Sequence, residues 1–398
     1  MKTCCKDVDI LDRDIITKYT WRALEDKKLR RRDYSSFVSS YSDLYSARQV
    51  QHIAEDHMSK ELLQPEIDNI VDEVMERFYY HDLDLPPIIH KERIDGISKK
   101  VRIIAIEHPL QQVIEHVLVG LFSELWDRKI VYHQYASIQG KGQLAGAKQI
   151  ARWAQEDDYE YFVKLDIRKC FPSFRHDIIM DALDRDCHKN PELLDLAEAI
   201  ISTHGHGGLG LVDGDVYFDE EIGLEIGSLF SQYICNYVVS YIYRYIESLY
   251  RYRRDKRIPY VKHQLWFMDD CLLEGASRNN LLLAVNHASD YIEDVWGLNF
   301  KQNWHIKNHD LEPINMMGYK IYRDGTIKIK DEVFIRARRC FNNFSTRDIS
   351  QARSVTSRYG YFKHTGVNEL YLPNGKRIDI QRVQDKASSV ISEYDRKE

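Results

Sequence analysis

No stretch of the 398-residue chain approaches 18 consecutive apolar residues, so the sequence offers no membrane span. The opening residues, Met1-Lys2-Thr3-Cys4-Cys5-Lys6-Asp7, lack the apolar core of a secretion signal. Cysteine is sparse: seven residues, an odd number, with no Cys-x-x-Cys pair. This argues against a disulfide framework or a thiolate zinc site, and for reduced thiols in a cytoplasmic protein. Internal repeats and low-complexity tracts are absent. An excess of positive charge is missing too: 56 basic against 62 acidic residues leave −6, with a pI near 6.3. The global charge therefore weighs against a polyanion as partner, while leaving a locally basic groove open.

What remains fits a soluble globular chain, with 43% apolar and 30% charged residues and length for two or three packed units. Tyrosine is abundant at 26 residues, which serves cores and interfaces as well as base stacking. The most telling stretch is Trp266-Phe267-Met268-Asp269-Asp270-Cys271-Leu272-Leu273. Its two apolar runs read as short strands with a tight turn at the aspartates. Successive side chains on a strand face opposite ways, so one aspartate points into a site and its neighbour aside. An acid pair in apolar surroundings costs several kcal/mol unless a cation or hydrogen bonds offset it, and Mg²⁺ is the usual answer. Taken alone, the pair reads equally well as an Asp-Asp β-turn.

Along the chain, residues 1–87 are expected to be a helical N-terminal extension, with apolar spacing at Ile67, Ile70, Val71, Val74 and Phe78 and a break at Pro86-Pro87. The basic run Trp21 to Arg32 is a solvated helix face or a nucleic-acid contact. A hairpin follows over 88–106. Its Lys99, Lys100 and Arg102 suit a triphosphate clamp, or else protect an exposed edge. A helix is expected over 108–126. Gly140-Lys141-Gly142 before the next helix is a weak phosphate-contact loop. The strand Tyr161 to Asp166 ends in an acid, with Phe171 five residues on, and helices follow at 176–187 and 192–203. His204-Gly205-His206 reads as a flexible loop rather than a metal site. A short hairpin is expected around Asp213-Gly214. Gly223 and Gly227 bracket the start of a long helix running to about Tyr252. Arg251, Arg253, Arg254, Lys256 and Arg257 form a second basic cluster. Met316 to Tyr322 reads as a strand, with a turn at Asp324-Gly325, and the tail from Asp331 as helical and basic.

In that order, Asp166…Phe171, Gly227…Ser231-Gln232, Phe267-Met268-Asp269-Asp270 and Met317-Gly318-Tyr319 resemble the motif series of the reverse transcriptases, from about residue 99 to 365. The resemblance implies an α+β right-hand polymerase: fingers and palm with an antiparallel sheet over 88–325, and a helical thumb and tail over 326–398. It implies an RNA-directed DNA polymerase making cDNA with two Mg²⁺ ions, Mn²⁺ being a substitute. Asp166 and Asp269 would hold the metals, with Asp270 beside them and Ile167 contributing its backbone carbonyl. Lys99, Lys100 and Arg102 would hold the dNTP. Phe171 would exclude a ribose 2′-hydroxyl, and Ile226 and Gly227 would lie against the nascent pair. Met317, Gly318 and Tyr319 would grip the primer, and Gly140, Lys141, Gly142, Ser231 and Gln232 would contact template. The implied partners are an RNA template, a DNA primer and product, dNTPs, a noncoding or template RNA and an accessory protein, with no membrane.

Where many members have Gln-Gly-x-x-x-Ser-Pro, this chain has Ile226-Gly227-Ser228-Leu229-Phe230-Ser231-Gln232. That form is similar to the error-prone enzymes of diversity-generating retroelements. An apolar Ile226 cannot donate the hydrogen bond of a glutamine, which fits looser discrimination. The alternative is an antiphage defence reverse transcriptase using a noncoding RNA, or untemplated or protein-primed synthesis.

Overall fold

The computed structural model describes residues 3–94, 101–156, 159–204, 210–212, 215–217, 221–363, 367, 369–372 and 374–395. The chain mixes helices and antiparallel strands and divides into two compact units, Met1–Gly140 with Val163–Ile306, and Lys141–Phe162 with Lys307–Glu398.

In the first unit the N-terminal residues are helical, as their spacing predicts. Asp12 caps Arg13–Ala23 by accepting from the N–H groups of Asp14 and Ile15. Gln64–Tyr79 starts with Pro65 in its first turn and buries Ile67, Ile70, Val71, Val74 and Phe78 completely. Both helices pack together, and Arg13–Ala23 also packs against Pro109–Leu121. The expected helix over 108–126 is two, Pro109–Leu121 and Ser123–Lys129, because the chain leaves helical geometry at Phe122.

The hairpin after Pro87 is present. Ile89–Ile94 pairs antiparallel with Val101–Ile106, Ile89 facing Ile106 and Ile94 facing Val101. Strand His263–Phe267 pairs antiparallel with Asp270–Gly275, and the latter neighbours the strand ending at Asp166. Leu265, Trp266, Cys271, Leu272 and Leu273 are fully buried, which explains runs that are apolar at every position rather than alternating. Helix Arg278–Trp296 packs on Asp270–Gly275 and against helix Leu229–Ser248.

That last helix is shorter than expected at both ends. It starts at Leu229 rather than near Ile222, because Gly223 (φ 109°) and Gly227 (φ 126°) hold backbone conformations no helix contains. It stops at Ser248 because the basic cluster is itself a β-hairpin, Tyr250–Arg253 paired with Lys256–Pro259. A short hairpin, Gly210–Val212 with Asp215–Tyr217, stands where one was expected, while Asp213 and Gly214 lie outside the described residues.

In the second unit, Tyr161 and Phe162 pair with Asn308 and Lys307. The expected strand Met316–Tyr322 is broken in two. Ile314–Met316 turns at Met317-Gly318 (φ 54° and 84°) into Tyr319–Ile321, which then pairs with Ile327–Ile329 after the anticipated turn at Gly325. Consecutive positive φ values define the tight turn that matches strand twist. The tail holds helices Asp331–Asn342, Ile349–Phe362 and Ile380–Asp395. It also holds an unexpected hairpin, Glu369–Tyr371 with Arg377–Asp379, whose turn contains Asn374-Gly375. Among the described residues, no helix is long and apolar enough to cross a membrane.

Candidate active site

Asp166 ends one strand, and Asp269 and Asp270 stand at the turn of the neighbouring hairpin. Phe267 and Asp270 are the last pair of the 263–275 hairpin, so its turn is Met268-Asp269, one residue earlier than an Asp-Asp turn. Met268 sits at φ 56°, a region costly for a non-glycine residue. The N–H of Ile167, just past Asp166, donates to the carbonyl of Asp269 at 3.1 Å, which locks strand end to turn. Ile167 also faces Phe300 in a pairing closed by Arg168 N–H to Asn299 and Lys301 N–H to Asp166. The Ile167 carbonyl is thereby left out of that pairing.

Burial, then the neighbouring charges of Asp270 and Asp166, push the Asp269 carboxyl up to about 6. Lys301 answers part of this negative charge, with its Nζ 2.5 Å from Asp166 Oδ1. A cation thus already lies against Asp166, and a carboxyl raised by neighbouring carboxylate charges belongs to a donor set that a divalent ion stabilises. The residues present fit Mg²⁺ or Mn²⁺.

The hairpin carrying Asp269 and Asp270 is held from behind. Trp266 is fully buried and exchanges backbone bonds with His133 and Tyr135. Between those two, the buried Gln134 side chain donates to the Asn236 carbonyl at 2.7 Å, and Asn236 donates to Ala136 at 3.0 Å. Gln264 donates to the Tyr243 carbonyl at 2.9 Å. Helix Leu229–Ser248 therefore fixes the hairpin through amides.

Loop 222–227 brings the expected nucleotide-side residues together. Gly223 N–H donates to Phe174 and Leu224 N–H to Phe171, which lays the loop over the half-buried Phe171. Ala105 N–H donates to the Ile226 carbonyl at 3.1 Å. A Cβ on Gly227 would stand 3.0 Å from the Ala105 oxygen, so only glycine lets this strand and loop approach. Lys99 and Lys100 lie outside the described residues, and only the backbone of Arg102 is described, in the same strand as Ala105.

Below this loop lies a polar cluster that sequence reading missed. Glu115 is fully buried and accepts from the Ser228 hydroxyl (2.9 Å) and the N–H groups of Leu229 (2.8 Å) and Phe230 (3.2 Å). It caps the positive end of helix Leu229–Ser248. Burial raises its pKa, but His204 (Nε2 at 3.6 Å), Ser228 and Phe230 outweigh that and hold the carboxyl below its usual range. Glu107 lies beside it, a carboxylate oxygen of each within 4.8 Å of the other. Burial, then the Glu115 charge, push it up to about 10, so it keeps its proton.

Ser231 is fully buried, with its hydroxyl 3.4 Å from His204 Nδ1. Ser231 thus lies at the start of helix Leu229–Ser248, as expected of a helix-start residue, with its side chain facing the cluster. Gln232 accepts from the Ser137 hydroxyl at 2.5 Å. Gly140 and Gly142 adopt φ 77° and 141°, and Gly142 immediately precedes helix Gln143–Trp153, which follows Lys141. In the second unit, Met317-Gly318 is the turn described above. The Tyr361 ring lies where a Cβ on Gly318 would stand and packs on Tyr319 at 5.5 Å. Lys301 was missed because the sequence shows only an unremarkable lysine after Phe300.

One curated relative, the "Putative COX1/OXI3 intron 1 protein" of Saccharomyces cerevisiae, is 23% identical over 140 residues, 34% of this chain and 15% of that protein. The match thus spans a small part of that relative. A structure of telomerase from Candida albicans with a fragment of telomeric RNA aligns with 77% of this chain and 55% of its own, at 11% identity and a TM-score of 0.45. The family described as reverse transcriptase (RNA-dependent DNA polymerase) matches residues 89–321, more than half of the chain. This protein belongs to the family described as reverse transcriptase (RNA-dependent DNA polymerase).

Proposed function

We propose that the chain makes cDNA from a template RNA by two-metal nucleotidyl transfer, as an error-prone retroelement enzyme. The observation that carries the reading is that Asp166 stands beside the turn carrying Asp269 and Asp270, close enough for their charges to raise Asp269, with the Lys301 ammonium drawn to Asp166. Bound divalent metal would supply Lewis acidity at the primer hydroxyl and the triphosphate. Asp166, Asp269 and the Ile167 carbonyl would hold it, and Asp270 would add negative charge from the next strand position. The hairpin carrying Arg102, with Lys99 and Lys100, binds triphosphate oxygens. Phe171 under loop 222–227 fills the space of a 2′-hydroxyl and selects deoxynucleotides. Ile226 and Gly227 lie against the nascent base pair, where an apolar side chain discriminates less than a hydrogen-bonding one. Met317-Gly318-Tyr319 grips the primer, and Gly140, Lys141, Gly142 and Gln232 meet the template strand. Residues 88–325 act as fingers and palm and 326–398 as thumb, with an RNA and an accessory protein as partners.

The test is to sequence DNA made from a defined RNA template by the wild type, Asp269→Ala/Asp270→Ala and Ile226→Gln. The double variant should make none, and Ile226→Gln should lower the error rate, most of all at template adenines. Homopolymer product, or DNA joined to the protein, would overturn the retroelement reading in favour of a defence enzyme. Incorporation that survives removal of both acids would overturn the site.

A further inference from the structure

The hairpin Tyr250–Pro259 is built unlike the surface around it. Its ten residues hold five cations and one acid, in a chain whose net charge is −6. Arg254 and Asp255 form its turn with φ 49° and 62°, and Tyr260 N–H donates to Leu249 at 3.0 Å to close its base. The ribbon is thus a defined element rather than a loop. Its register sorts the side chains onto two faces, because residues directly opposite one another share a face. Tyr250 opposite Pro259 and Tyr252 opposite Arg257 form one face. Arg251 opposite Ile258 and Arg253 opposite Lys256 form the other.

The first face is aromatic and open. Tyr250 is 38% and Tyr252 69% exposed, their rings meet edge-on at 5.3 Å, and the Arg257 guanidinium stacks over Tyr250 at 3.9 Å. The second face is cationic. Arg251, Arg253 and Lys256 on it are exposed, as are Arg254 in the turn and Arg257 on the first face, and among the described residues none of the five is paired with an acid. A core has no use for exposed tyrosines, and solubility does not require cations gathered on one ribbon of an acidic protein. Stacking rings on one face and phosphate-binding cations on the other are the two components of single-stranded nucleic-acid recognition.

We infer that the Tyr250–Pro259 hairpin is an RNA anchor outside the catalytic centre: its tyrosines stack unpaired bases and Arg251, Arg253 and Lys256 bind the adjoining phosphates. Four residues of strand extend roughly 13 Å, the span of a few nucleotides. The anchor lets an acidic polymerase retain an RNA through one concentrated patch. It holds unpaired RNA in preference to duplex, because paired bases cannot reach the rings. The inference goes beyond the polymerase reading and is judged separately, by affinity rather than by incorporation.

The experiment titrates full-length protein into a labelled oligouridylate and into a blunt RNA duplex across a salt series. Arg251→Gln/Arg253→Gln/Lys256→Gln should weaken oligouridylate binding roughly tenfold or more near physiological salt. It should also reduce the salt slope by about 0.7 for each phosphate that is no longer neutralised. Tyr250→Ala/Tyr252→Ala should weaken oligouridylate binding and leave duplex binding unchanged. The charge-preserving Arg251→Lys/Arg253→Lys/Lys256→Arg should bind as wild type, which separates removal of the cations from a failure to fold. Nucleotide incorporation at saturating annealed primer–template should stay unchanged in all three. Wild-type affinity and salt slope in the glutamine variant would overturn the proposal. So would weakened binding to phosphatidylserine vesicles with oligouridylate affinity intact, which would assign the ribbon to a membrane surface.

Discussion

Asp269 is the residue where structure and chemistry pull hardest against each other. Its carboxyl is raised from 3.8 to about 6, so in the metal-free fold ionising it is unfavourable. A raised carboxyl contributes stability below its unfolded pKa and loses it as pH rises through the folded one. Metal-free protein should therefore lose stability between pH 4 and 6 through this group. Asp269→Asn should remove that loss and raise the metal-free melting point at pH 7, by about 1–3 kcal/mol in stability, while abolishing incorporation. A lower melting point at pH 7 would show that the acids do not repel. Lys301 supplies the complementary expectation. In Lys301→Met, Asp166 loses its 2.5 Å partner, so metal-free stability falls slightly, the pair being about a third exposed. Mn²⁺ then binds more tightly, because no ammonium competes for Asp166. Calorimetric titration with Mn²⁺ reads this directly, and unchanged affinity would place the Lys301 ammonium away from the metal.

At the scale of elements, the start of helix Leu229–Ser248 depends on a carboxylate donated by another helix. Glu115→Ala would leave the Ser228 hydroxyl and the Leu229 and Phe230 N–H groups buried without their acceptor, and should cost about 3–5 kcal/mol in a denaturant titration. Its neighbour Glu107 predicts a pH dependence of the same sign as Asp269 but farther up the scale. Its raised carboxyl, near 10, withdraws stability as pH climbs from the ordinary carboxylate range. Glu107→Gln should flatten the fall in melting temperature between pH 7 and 9. Gly227→Ala brings a Cβ to 3.0 Å from the Ala105 oxygen at φ 126°, and should raise the KM for dNTP more than it lowers the melting point. What the sequence discloses here follows its patterning. The Phe267–Leu273 hairpin was legible because two apolar runs flank acids, and helix Gln64–Tyr79 because its apolar spacing is regular. The Tyr250 hairpin was not, because Arg254 and Asp255 take positive φ without a glycine to signal the turn. Nor was the Glu107, Glu115 and His204 cluster, whose members come from separate segments and meet only in three dimensions. Gln134 and Asn236 were invisible for the same reason.

Across the whole molecule, the seven cysteines are all free thiols and six are buried, Cys340 being the partly accessible one. Native protein should react with a thiol reagent at one site, rising to seven in denaturant; two or more fast thiols in the native state would contradict this packing. The negative charge concentrated at Asp166, Asp269 and Asp270 has a consequence for the entire fold. A cation that binds the folded acids and not the unfolded chain adds about 1.4 kcal/mol of stability for each tenfold rise in its concentration above the dissociation constant. A melting curve is then a gauge of cation occupancy that needs no primer, template or nucleotide. It ranks Mg²⁺, Mn²⁺ and Ca²⁺ at this centre even under conditions in which no DNA is made.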